Sequence, residues 1–211
     1  MYSLALIGDI VDSRGVEERG ALQRSLNALF DDLNRRFADS LLSPLTLTLG
    51  DEFQALFARA DDLWTVITCL QAAVHPVQVR FGLGLGDIVT DINPQAALGM
   101  DGPAFHLARD AVEALKDEGG LLRVAGLEDG DLINPTLLLL SDAQTRWRGT
   151  RFRVFRDYLG DRPVEEIAKD LDISKVAVYK NINDGMLATI AHVLRAITAR
   201  MNGALQQAHG H

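Results

Sequence analysis

With 211 residues, 47% hydrophobic and 24% charged side chains and a mean hydropathy near zero, the chain has the make-up of a globular protein with one sizeable core, or one core and a small satellite. No apolar run approaches the ~20 residues of a membrane helix, so no membrane partner is expected. The lone Cys69 excludes an internal disulfide, and no basic-then-apolar leader opens the chain, so a cytoplasmic location is expected.

Residues 2–9 form an apolar run that ends at Gly8-Asp9, the pattern of a buried strand. From Val16 to Phe37, Leu22, Leu26, Leu29, Phe30, Leu33 and Phe37 recur at steps of three and four, which predicts an amphipathic helix. "PLTLTLG" alternates strictly, and Gly50-Asp51 turns it into "EFQALFA", so these two runs predict a hairpin. Asp61 to Val74 is a predicted helix with Leu63, Val66, Ile67, Leu70 and Val74 on one face, stopped by Pro76; Cys69 falls inside it as a buried residue. "VQVRFGLGLGDIVTDI" is strand-rich and glycine-punctuated, Phe105 to Leu115 is helical, and "GGLLRVAGL" is a short strand. The order predicts an α+β fold with one mainly antiparallel sheet and covering helices.

After Ser141 the strand patterns stop. Residues 142–158 predict an arginine-rich helix, and 163–171, 174–183 and 186–201 predict three more, with the polar tail "NGALQQAHGH" expected to fray. Charge divides in the same place. Residues 1–141 hold 10 Lys+Arg against 21 Asp+Glu, whereas 142–211 hold 11 against 8. The acidic part would repel a nucleic-acid backbone, and the mildly basic part would tolerate one. Two domains are expected, residues 1–138 and an all-α unit over 139–211.

Gly8-Asp9 and Gly50-Asp51 each end a predicted strand. If the first strand lies beside the hairpin, Asp9 and Asp51 share one rim of the sheet. Two carboxylates forced together repel and raise each other's pKa unless a cation neutralises both. Mg²⁺ or Mn²⁺ does so with oxygen ligands and substrate phosphates. The turn after Asp9, Ile10, Val11, Asp12, Ser13 and Arg14, offers backbone N–H groups and two polar side chains to phosphate, and Gly50 adds backbone across from it. The alternative is that both acids are ordinary turn residues.

"ALIGDIVDSR", "LTLTLGDEFQALF", "RFGLGLGDIVTD" and "GMDGPAFHLARDAVEAL" together resemble, over about residues 2–118, the class III nucleotidyl cyclase catalytic domain; "LGDEF" also resembles the diguanylate cyclase signature. With the C-terminal half, the chain resembles the SatD family, a cyclase-like domain followed by a helix-turn-helix. The resemblance implies a cyclase-like, ferredoxin-like sheet, metal ions on Asp9 and Asp51, a nucleotide ligand with its β- and γ-phosphates on the backbone after Asp9, and a homodimer. It also shows departures. The purine-reading lysine of cyclases falls near Leu45, in an uncharged strand. The Asn and Arg that cyclases place four apart fall on His106 and Asp110, with Arg109 one residue off, or ~100° around the helix. A one-residue shift restores Arg109, so His106 and Arg109 are the candidate nucleotide contacts. The alternative is a solvated face on which Arg109 pairs with Glu113.

"RPVEEIAKDLDISKVAVYKNINDGM" has helix-turn-helix patterning. Val164, Ile167, Ala168 and Leu171 line one helix, Asp172 turns the chain, Ile173 plugs the core and Ser174 caps the next helix. Val176, Val178 and Ile182 are its apolar positions. Ser174, Lys175 and Ala177 are candidates for base edges or phosphates, Tyr179 and Lys180 for phosphates, and Asn181 and Asn183 also point outward. Arg146, Arg148, Arg151, Arg153 and Arg156 make the preceding helix cationic. The alternative is a plain helical bundle used for dimerisation. Leu187, Ile190, Leu194, Ile197 and Met201 mark the last helix as a packing or dimer helix.

Three functions are compatible with these features. One is a transcriptional regulator that binds double-stranded DNA and senses a nucleotide with a metal. The second is an active nucleotidyl cyclase or transferase with a regulatory tail. The third is an adaptor in which both halves are remnants.

Overall fold

The computed structural model describes residues 1–12, 19–48 and 51–209. Its centre is a five-stranded sheet in the order β2-β3-β1-β4-β5. β1 (Tyr2–Ile10) lies between β3 (Glu52–Phe57) and β4 (Val79–Asp87) and is antiparallel to both. This explains its unbroken apolar run, because a central strand covered on both faces has no solvent side to alternate against. β2 (Leu41–Leu47) extends the hairpin outward, and β5 (Leu122–Ala125) adds a parallel edge to β4. The expected α+β sheet is therefore present, with one parallel pair.

One face of the sheet carries α3 (Pro103–Glu118), with Ile88, Ile92 and Met100 of the preceding loop packed beside it. β4 presents Gly82, Gly84 and Gly86 to it, and the helix answers with Ala104 and Ala108. A Cβ on Gly84 would sit 2.1 Å from the Ala104 carbonyl oxygen, and one on Gly82 2.1 Å from that of Ala108. The glycines thus let helix backbone rest on strand backbone.

The other face carries the larger core. Leu4, Leu6, Phe53, Phe57, Phe81 and Leu83 point into it from the strands. Gly8 leaves room there for the Phe53 ring, which packs against Phe30 at 5.1 Å and Phe81 at 6.1 Å between centroids. α1 (Arg19–Arg36), α2 (Leu63–Val74) and the C-terminal helices cover this face.

Those helices are α4 (Gly130–Thr145), α5 (Gly149–Leu159), α6 (Val164–Asp170), α7 (Lys175–Asp184) and α8 (Leu187–His209). The single helix expected over 142–158 is split, because Arg148 is extended (φ −87°, ψ 158°). Trp147 turns inward at the break and meets Phe152 and Phe155 at 5.2 and 5.4 Å, which fixes the corner between α4 and α5. The boundary expected near residue 138 falls inside α4.

Through His209 the tail is helical. α8 runs to His209, with Met201 and Leu205 buried. The Asn202 carboxamide accepts the Ala60 N–H at 2.8 Å, and Trp64 donates its indole N–H to Thr198 at 3.0 Å. The helix expected over 186–201 thus continues to His209; mostly polar residues around Leu205 concealed its last turns. No helix among the described residues is long and apolar enough to cross a membrane.

Candidate functional site

Strand register sets the first site. Asp9 lies opposite Glu52 on β3 and Arg80 on β4. Side chains alternate along a strand, so Asp9 shares the α3 face with Ala5 and Ile7. The three residues form a charged row at the rim where α3 ends its contact with the sheet. Arg80 donates to the Asp9 carboxylate at 3.2 Å. Arg109, from α3, grips both oxygens of Glu52 at 2.8 Å each. Lys116, further along α3, is held by Glu113 at 2.6 Å.

Burial pushes the Asp9 carboxyl above its ordinary range; the Arg80 hydrogen bond and the Lys116 charge oppose this without cancelling it, and Asp51 adds slightly to the rise. Desolvation thus exceeds the ion pair. The Arg109 guanidinium is raised, first by its bond to Glu52.

Asp9 and Asp51 do share a rim. The Asp51 carbonyl accepts the Ile10 N–H at 3.3 Å, and the Asp51 charge is felt by Asp9. The Asp9 side chain, however, binds Arg80. The expected phosphate cradle needs a correction. The Ile10 and Val11 N–H groups are taken by the carbonyls of Asp51 and Gln78, because β1 continues through Ile10. Asp12 turns the chain with left-handed backbone, φ 52°. Ser13, Arg14 and Gly50 lie outside the described residues.

His106 is exposed and bound to Asp101 at 2.8 Å. Arg109 does reach the rim, and the expected Arg109–Glu113 pairing is replaced by Arg109–Glu52 and Lys116–Glu113. A cross-element carboxylate in bidentate geometry outcompetes an exposed helical neighbour. Asp110 is exposed and Leu45 is in the core. Sequence reasoning missed Glu52, Arg80 and Lys116. Arg80 was findable as the sole cation of "VRFGLGLGD", and Glu52 as the acid next to Asp51 at the start of the second hairpin strand.

The second group lies on α6 and α7. The Ile173 N–H donates to the Ala168 carbonyl at 3.0 Å, closing the turn around Asp172, whose φ is 52°. The Ser174 hydroxyl accepts the Ala177 N–H at 3.1 Å as a true cap. Lys175 pairs with Glu165 at 2.8 Å. Tyr179, Lys180 and Asn183 are exposed and Ala177 is partly covered. Asn181 bonds back to the Ala177 carbonyl. Val178 and Ile182 are buried, but Val176 is 76% exposed. It stands on the outer face with Tyr179, so it does not belong to the helix's core stripe.

A family model described as the SatD family matches residues 3–192. The chain belongs to the SatD family. No curated relative matches it. Among solved structures, this SatD-family chain is similar to a bacterial light-regulated adenylyl cyclase, with 16% identity, 58% of this chain and 74% of that one covered, and a TM-score of 0.41. It is also similar to a dimeric guanylyl cyclase domain from Blastocladiella emersonii (14%, 53% and 73%, 0.41) and to a guanylate cyclase domain from Catenaria anguillulae in complex with GTP (16%, 51% and 70%, 0.35).

Whether the SatD-family rim suits a divalent ion depends on its donors. Among the described residues, no three His, Cys, Asp or Glu side chains cluster closely enough to hold one. Asp9, whose carboxylate is held by Arg80, and Asp51 would offer hard oxygen donors only. That fits Mg²⁺ or Mn²⁺ that keeps waters and takes further oxygens from phosphate, and does not fit a closed protein cage.

Proposed function

We propose that this SatD-family protein is a DNA-binding regulator whose cyclase-like sheet senses a nucleotide with a divalent metal. The observation that carries the reading is Asp9, a half-buried carboxylate on the central strand whose desolvation its arginine partner does not offset. Such a group gains from a cation at the rim. Asp9 and Asp51 hold the metal, which supplies charge neutralisation to the nucleotide's phosphates. Arg80 and Arg109, now bound to carboxylates, are the cations nearest to those phosphates. Asp12, Ser13, Arg14 and Gly50 complete the phosphate loop, and His106 marks its outer edge. The departures at Leu45 and Asp110 favour binding over turnover. On the helical part, Ser174, Lys175 and Ala177 meet base edges or phosphates, and Tyr179, Lys180 and Asn183 flank them.

Two measurements test this. In titration calorimetry with Mn²⁺ and each nucleoside triphosphate, one nucleotide should bind wild type, and Asp9→Asn should abolish the metal-dependent part. In filter binding with a promoter fragment from the protein's own operon, affinity should fall as salt rises, since phosphate contacts release counterions. Salt-insensitive or absent binding would sink the DNA reading.

A second reading, an active cyclase or transferase, is favoured by Arg109 alone, which reaches the rim despite its offset in the sequence. Incubation with each triphosphate and Mn²⁺ separates the two. A cyclic or dinucleotide product that disappears in Asp51→Asn supports turnover.

A further inference from the structure

The outer face of α4 is apolar where a solvent-facing helix would be polar. Leu132 and Leu139 are each 73% exposed. They are seven residues apart, two helical turns or about 10.5 Å, and so lie in line. Beside them, between α4 and α8, runs a shallow apolar groove in two parts. One, about 520 Å³, is lined by Leu139, Ala143, Met186 and Val193. The other, about 320 Å³, is lined by Leu132, Ile133, Val193 and Ile197. Thr136 and Val193 belong to both, which places Thr136 at the middle of the patch.

We propose that this face binds a second copy of the chain about a two-fold axis near Thr136, with the two α4 helices antiparallel. An isologous interface needs knobs and holes on the same patch, exchanged by the axis. That is the arrangement present. An antiparallel partner sets its Leu132 against the part lined by Leu139, and its Leu139 against the part lined by Leu132. Charge selects the same orientation. Glu128 and Asp131 stand exposed at the N-terminal end of α4, and Arg148 just past its C-terminal end. Antiparallel pairing sets each acidic end against a basic one, whereas parallel pairing opposes like charges. Within each copy, Asp129 and Asp142 are already held by Arg200 and Arg146, so they do not oppose the approach. The patch lies on α4 and α8 and is independent of the Asp9 rim.

Sedimentation equilibrium of the full chain at micromolar concentration should give a dimer. Leu132→Asp and Leu139→Asp should each weaken it about tenfold or more, with unchanged circular dichroism spectra, since both side chains are exposed in one copy. Glu128→Arg and Arg148→Glu should each weaken the dimer, and their combination should restore it. Thr136→Cys should cross-link copy to copy on oxidation. Wild type should not, because its Cys69 is buried. A monomer at all concentrations, a dimer indifferent to both leucine substitutions, or a dimer that Thr136→Cys does not cross-link overturns the proposal.

Discussion

At the scale of single residues, Asp9 combines an unfavourable position with a partner that does not fully answer it. Its carboxyl is raised in the folded state, mainly by burial. A raised folded pKa favours folding below the ordinary carboxylate range, and that contribution is lost as pH rises through the folded value. Asn mimics the neutral acid at every pH. The stability of Asp9→Asn relative to wild type should therefore increase from acid to neutral pH, as thermal melts across that range would show. A decrease would mean that the Arg80 pair outweighs burial. Gly84 makes a second case. Its substitution by Ala puts a methyl 2.1 Å from the Ala104 carbonyl oxygen. α3 must lift, at a cost of about 3 kcal/mol by urea denaturation. Asp9 itself was legible in the sequence, because an acid ending an apolar strand is unusual. Arg80 stands out as the lone cation of its strand, but its pairing with Asp9 depends on strand register, which a single sequence does not display.

At the scale of elements, most of the fold was legible, because strands and helices follow periods of 2 and 3.6 that apolar residues report directly. The misses occurred where few residues carry the signal. Trp147 and an extended Arg148 break what looks like one arginine-rich helix. Met201 and Leu205 are the buried apolar anchors of a tail that is mostly polar. Leu205→Ala should therefore cost about 2–4 kcal/mol, far more than a frayed terminus would register. Ser174→Ala removes the cap on Ala177 N–H and should cost about 1 kcal/mol. If α7 docks on DNA, the same change should also weaken filter binding, because the helix start would lose its set geometry.

At the scale of the whole molecule, strands and C-terminal helices bury their apolar side chains in one continuous cluster, from Leu4 to Leu205. Asn202 and Thr198 tie α8 to the start of α2 through Ala60 and Trp64. Chemical unfolding should accordingly be a single transition by near- and far-ultraviolet dichroism. Two separated transitions would show that the helices release the sheet before it unfolds.

The chain has two tryptophans, both buried, and they stand at different joints. Trp64 bonds to Thr198 where α8 meets α2, and Trp147 sits between α4 and α5. The protein therefore carries two intrinsic optical reporters. Trp147→Phe leaves an emission that follows only the seating of the last helix, and Trp64→Phe one that follows only the α4–α5 corner. Nucleotide, metal and DNA could each be titrated against either, and the wavelength that moves would name the joint that felt the ligand.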